Sequence, residues 1–155
     1  MKRILAGILV LTLVFSLAGC ALLGGNKKLT EFHDKVAESQ ELLDDIADDV
    51  YSNWHGAIYD DEFNENINLA IASAMADHEA DLDRIEVLDG EIAELFKSVK
   101  DDKECGSIIK EVMSAYSDYY EFVVNVSGSF NSFSASKETL KKELASTLKD
   151  LSYEL

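Results

Sequence analysis

Apolar residues in this chain return at intervals of three, four and seven, and no proline interrupts them anywhere. That combination forces helices. A 3.6-residue period puts such positions on one face, and without proline nothing forbids long runs. From Leu29 the stripe reads Leu29, Phe32, Val36, Leu43, Ile46, Val50 and Trp54. It predicts a first helix starting near Asn26 or Thr30, either able to cap free amides, and lasting to about Tyr59. Nowhere do apolar residues alternate long enough to argue for a sheet.

A second stripe runs through Phe63, Ile67, Ala70, Ala74, Leu82, Ile85, Leu88, Ile92, Leu95 and Val99. It predicts one helix of nearly forty residues, opened by the carboxylates of "DDEF" and weakened slightly at Gly90, where glycine costs about 1 kcal/mol. After the break at "KDDKECGS", Ile108, Val112, Tyr116, Tyr119 and Val123 mark a third helix ending at "SGS", residues 127–129. "VSGSFNSFSASKETL" reads as a loop docked on the core by its phenylalanines. Ser134 or Ser136 then caps a last helix striped by Leu140, Leu144, Leu148 and Leu151.

Burying every stripe gives an all-α fold: an elongated antiparallel helical bundle, residues 28–155. At 1.5 Å per residue the first two helices span about 45 and 57 Å. The last two together match one such leg. The expected plan is a long helical hairpin plus a third leg broken into two shorter helices at "SGSFNSF"; a last helix that folds back is the alternative. In either plan Ile46, Val50, Ile85 and Ile92 are core.

The N-terminus carries a different signal. Lys2 and Arg3 precede an apolar run from Ile4 to Leu17, too short for the roughly 20 residues of a membrane-spanning helix. It has the proportions of a secretory signal peptide. It ends in "LAGC", residues 17–20, which resembles the lipobox of bacterial lipoprotein precursors. The resemblance implies removal of residues 1–19 as a lipoprotein signal peptide and acylation of Cys20, the new N-terminus. Residues 20–27 then form a lipidated, flexible tether. Each buried methylene contributes about 0.8 kcal/mol, and a lasting anchor takes two chains, which a diacylated cysteine supplies. The helical body with its "SGSFNSF" segment is also similar to small helical lipoproteins of Gram-positive bacteria, a resemblance that brings no activity with it.

Charge bounds the partners. The chain has 14 basic and 30 acidic residues, a surface that repels phosphate backbones, so no nucleic-acid partner is expected. Residues 31–91 hold nineteen acids and only Lys35 and Arg84 as bases, whereas residues 92–155 hold eleven acids and eight lysines. The first half is either a solvated face or a landing site for cations or a basic partner.

No catalytic residues, cofactor or metal ligands emerge. Lipidation removes Cys20 from disulfide chemistry and leaves Cys105 a lone thiol, with no base in a recognisable partner motif. His33, His55 and His78 lack metal-ligand spacing; only Asp81 shares a helix face with His78. "DDEFNENINLAI" has oxygens at Asp60, Glu62, Asn64, Asn66 and Asn68, but Glu65 and Ile71 stand where a calcium loop needs glycine and glutamate. Trp54, Tyr59 and Phe63, like Tyr116, Tyr119, Tyr120 and Phe122, suit core packing with phenol tips in solvent. The expected protein is a lipid-anchored, extracytoplasmic helical module on the cell membrane. It has no catalytic role and acts through another cell-envelope protein. A small ligand- or metal-cation-binding lipoprotein is the alternative, and an enzyme comes third.

Overall fold

The first stripe becomes α1, Gly25–Tyr59, which buries Leu29, Phe32, Val36, Leu43, Ile46, Val50 and Trp54 along its length. The computed structural model describes residues 25–155, with side chains from Lys27 on. The expected signal peptide, Cys20 and the start of the expected tether lie outside the described residues. The last residues assigned to the tether, from Gly25, are already helical.

Four more helices follow: α2 (Ile67–Asp77), α3 (Glu79–Val99), α4 (Gly106–Val124) and α5 (Phe130–Ser152). Among the described residues there is no strand, and the fold is an all-α bundle. Side-chain pairs give its plan. Lys35 meets Glu91 at 2.8 Å, Arg84 meets Glu38 at 2.7 Å and His78 meets Asp49 at 2.9 Å, so α2 and α3 descend antiparallel to α1. Tyr119 on α4 donates to Asp44 at 2.7 Å. On α5, Lys137 meets Asp48 and Lys141 meets Asp44, so this helix also runs antiparallel to α1. The four legs are α1, the α2–α3 pair, α4 and α5. Their shared core includes the expected Ile46, Val50, Ile85 and Ile92, all essentially inaccessible to solvent.

Three elements differ from the sequence expectation. The last two helices do not run end to end as a broken third leg: α5 turns back and packs along α4. Gly128, at φ +90, supplies the left-handed corner that side-chain-bearing residues avoid. A reciprocal cap between Ser129 and Ser132 starts α5 there rather than at Ser134 or Ser136. "SGSFNSF" is therefore a hairpin corner and a first helical turn, and its Phe133 is core. Folding back also buries Leu144, Leu148 and Leu151, which a collinear helix would leave with fewer neighbours.

The second leg breaks at His78 (φ −107, ψ 23) and runs unbroken through Gly90. Ring contacts to Asp49 and Asp81 hold His78 at the junction, whereas nothing crowds or bends the exposed Gly90. Finally, α2 begins at Ile67, not at "DDEF". The chain reverses through Asp61, Phe63, Asn64 and Glu65, all with φ between 51 and 60. Asn66 then caps α2 by accepting from the Leu69 amide at 3.1 Å.

The bundle has two distinct ends. At one lie the start of α1, the α3–α4 turn and the end of α5: Lys28 and Leu29 border Ser98–Asp102, and Glu154 acts electrostatically on Cys105. At the other lie the end of α1, the 60–66 reversal and the α4–α5 corner.

Candidate functional site

At the far end, a cleft of about 640 Å³ opens between the 60–66 reversal and the α4–α5 corner. Trp54 lines it from α1, Ile67, Asn68 and Ile71 from α2, Asn64, Glu65 and Asn66 from the reversal, and Val126, Ser127 and Gly128 from the corner. Each element is there for a local reason. Left-handed φ is tolerable at Asp61 and Asn64, whose short polar side chains suit it, but unusual at Phe63 and Glu65. Such conformations persist only where surrounding structure imposes them. Here Asn53 ties α1 to the Ala70 carbonyl at 3.4 Å, and the Glu62 side chain covers Gly56.

Beneath the cleft the aromatics interlock. Trp54 packs on Phe133 (5.5 Å between ring centres) and Phe130 (6.0 Å), Phe130 stacks on Tyr51 (5.2 Å), and Phe133 stacks on Phe122 (4.8 Å). Trp54 is only 4% exposed, and its indole N–H has no hydrogen-bond partner among the described residues. A buried polar group is nearly always paired, so an orphan calls for a reason.

The same end is greasy outside and acidic. Ile58, Tyr59, Ile67 and Leu69 are exposed large apolar side chains, Tyr59 to 62% and Leu69 to 49%. Asp60 lies 3.3 Å from His55, but Asp61, Glu62 and Glu65 meet no basic side chain among the described residues. No Lys or Arg occurs between Lys35 and Arg84, or between Lys110 and Lys137.

Along the α1–α5 seam the acids are answered. Lys137, almost wholly buried, reaches Asp48 and lies over the Tyr51 ring, 4.6 Å from its centre. Lys141 meets Asp44 at 3.2 Å and Asp48 at 3.7 Å. Asp44 also accepts from the Tyr119 hydroxyl, whose pKa burial pushes well up. Tyr116 is likewise raised by burial and donates to Asp89 at 3.4 Å. Both phenols are buried against carboxylates, not in solvent as expected. A sequence signal for this clamp exists: two acids four apart on α1 face two lysines four apart on α5.

The other sequence candidates fall outside any site. His33 pairs with its neighbour Asp34 at 3.2 Å. The two ring nitrogens of His78 lie 2.7 Å from Asp81 and 2.9 Å from Asp49, and those carboxylates, Asp81 foremost, raise its pKa against the opposing effect of burial. Among the described residues no three His, Cys, Asp or Glu side chains are grouped to hold a metal. The "DDEFNENINLAI" oxygens are spread: Asp60 meets His55, Glu62 lies over Gly56 and Asn66 caps α2. Cys105 is buried beside Asp102, and burial first, then that carboxylate, pushes its thiol pKa up, the opposite of an activated nucleophile.

Compared with known protein families, with characterised proteins and with solved structures, the chain matches none.

Proposed function

We propose that this protein is a lipid-anchored, extracytoplasmic helical module of the cell envelope. It is tethered through Cys20 and engages another envelope protein with the end of its bundle farthest from the tether. One observation carries the reading. Of the six exposed large apolar side chains among the described residues, Ile58, Tyr59, Ile67 and Leu69 lie at the end of the bundle opposite the start of α1, whereas Val87 lies along α3 and Tyr153 just after α5. At 35 residues, α1 separates the two ends by about 52 Å. A chain held by "LAGC" at its N-terminus would therefore carry this surface well above the bilayer. No described helix is long and apolar enough to cross a membrane, so attachment of this body would fall to the lipid. The raised Cys105 thiol and the doubly engaged His78 favour a non-catalytic role.

Two measurements test it. Cys20→Ser should abolish lipid labelling and leave unprocessed precursor or released protein; unchanged labelling and membrane retention would remove the anchor. A photo-crosslinker at position 69, used in native membranes and followed by mass spectrometry, should capture a discrete envelope protein that one at position 87 does not. The same background from both positions would remove the interaction surface. The cleft supports a second reading, a small-ligand lipoprotein, since its volume falls in the range of small-molecule sites. A discrete protein crosslink at position 69 favours the first.

A further inference from the structure

We infer that the far end of the bundle takes a basic polypeptide segment bearing apolar side chains; this inference rests on the interaction reading above and names its partner's chemistry.

Three features of that end converge. Its apolar surface is exposed on both sides of the reversal, at Tyr59 on the last turn of α1 and at Leu69 on the first turn of α2. Of these exposed side chains only Ile67 lines the cleft, so an occupant confined to the cleft would leave the others in water. A small solute does not fit that pattern, whereas a chain crossing the end does.

The second feature is charge. Along the flanks Lys35, Arg84, Lys137 and Lys141 each meet a carboxylate. At this end Asp61, Glu62 and Glu65 stand without a cation among the described residues, and apart from His55 the local sequence offers none. Uncompensated carboxylates beside exposed apolar surface fit lysine or arginine interleaved with apolar residues. They repel an anionic bilayer, and they repel the same end of a second copy.

The third feature is the cleft wall, which includes Trp54, 96% buried by residue, whose buried indole N–H has no hydrogen-bond partner among the described residues. Asn64 and Asn68 border the same cleft. A peptide brings backbone carbonyls and amides, the groups such a wall can use. The backbone here is held left-handed at four side-chain-bearing positions, and strain of this kind gathers at ligand clamps.

Trp54 is the single tryptophan of the chain, so its fluorescence reports on this end alone. The full chain is reconstituted in phosphatidylcholine vesicles, with empty vesicles as blank, and titrated at physiological salt with a short alternating Lys/Leu peptide. Saturable change in Trp54 emission is expected. A Lys/Ser peptide of equal charge should bind at least roughly tenfold more weakly, and a Glu/Leu peptide not at all. Leu69→Ser and the pair Asp61→Lys with Glu65→Lys should each weaken binding by roughly tenfold, with helical circular dichroism unchanged. Val87→Ser, an exposed apolar residue of α3, should change nothing. Equal binding of the Lys/Ser peptide, equal loss in Val87→Ser, or a silent Trp54 would overturn the inference. So would concentration-dependent dimerisation of the chain that Leu69→Ser abolishes, which would assign this end to a second copy. If crosslinking at position 69 captures a protein while the Lys/Leu peptide fails to bind, the interaction reading stands and the partner chemistry falls.

Discussion

His78 has carboxylates on both sides, one from its own helix and one from α1, and an imidazole can donate at both ring nitrogens only when it is protonated. Its pKa is accordingly raised above the ordinary value near 6.5. The sign of the linkage follows. Folding favours the proton, so this bridge contributes fully below the unfolded pKa and is lost as pH rises through the folded one. Urea unfolding of the wild type should therefore show falling stability above about pH 6.5. In His78→Gln that decline should be flatter. An identical profile in the two proteins would mean the bridge contributes nothing. The break in the second leg sits at this residue, so the loss of stability should be accompanied by faster amide exchange at the α2–α3 junction before the rest of the bundle opens.

Helix existence and helix faces were legible because burial imposes a 3.6-residue period on every leg. Ile46, Val50, Ile85 and Ile92 fall where the stripes put them. What periodicity lacks is any record of direction after a corner. The stripe of α5 is the same whether the helix continues α4 or folds back along it, and the decision lies in Gly128 and the Ser129–Ser132 cap. The break at His78 was hidden for a similar reason, because a junction held by side chains on another helix leaves the apolar spacing undisturbed. The cleft was hidden too, since it is made by residues of two connections and two helices that only the fold brings together. Direction is reinforced by the α1–α5 clamp, and that clamp is asymmetric: the Lys137 side chain is 9% exposed, Asp48 53%. Asp48→Ala strands a buried ammonium with Glu138 only at 3.9 Å and should cost about 1–3 kcal/mol. Lys137→Met keeps the buried volume and frees a carboxylate that Lys141 and water can still serve, so it should cost less. Thermal denaturation of both variants decides, and the reverse order would show that the lysine is not held as described.

At the scale of the whole molecule, acids and bases that look segregated along the chain are interleaved in space, because lysines of the last helix lie against aspartates of the first. What distinguishes the 60–66 reversal is that Asp61, Glu62 and Glu65 lie in a stretch of sequence without lysine or arginine. The α1–α5 seam has a further consequence, which concerns time. Asp48 and Lys137 are 89 residues apart, and Gln40 donates to the Lys141 carbonyl across 101, whereas α4 and α5 meet across a short corner. Closing the larger loop carries the greater entropic cost, so nearby helices pair early and the seam zips late. Interactions absent from the transition state govern the rate of leaving the native state. Lys141→Met should thus speed unfolding in stopped-flow fluorescence of Trp54 while leaving refolding nearly unchanged. A matching fall in the refolding rate would place the seam in the nucleus. Under the envelope role proposed above, where a strand of loosened chain would meet proteases, persistence would then be set by how slowly this first-to-last contact lets go.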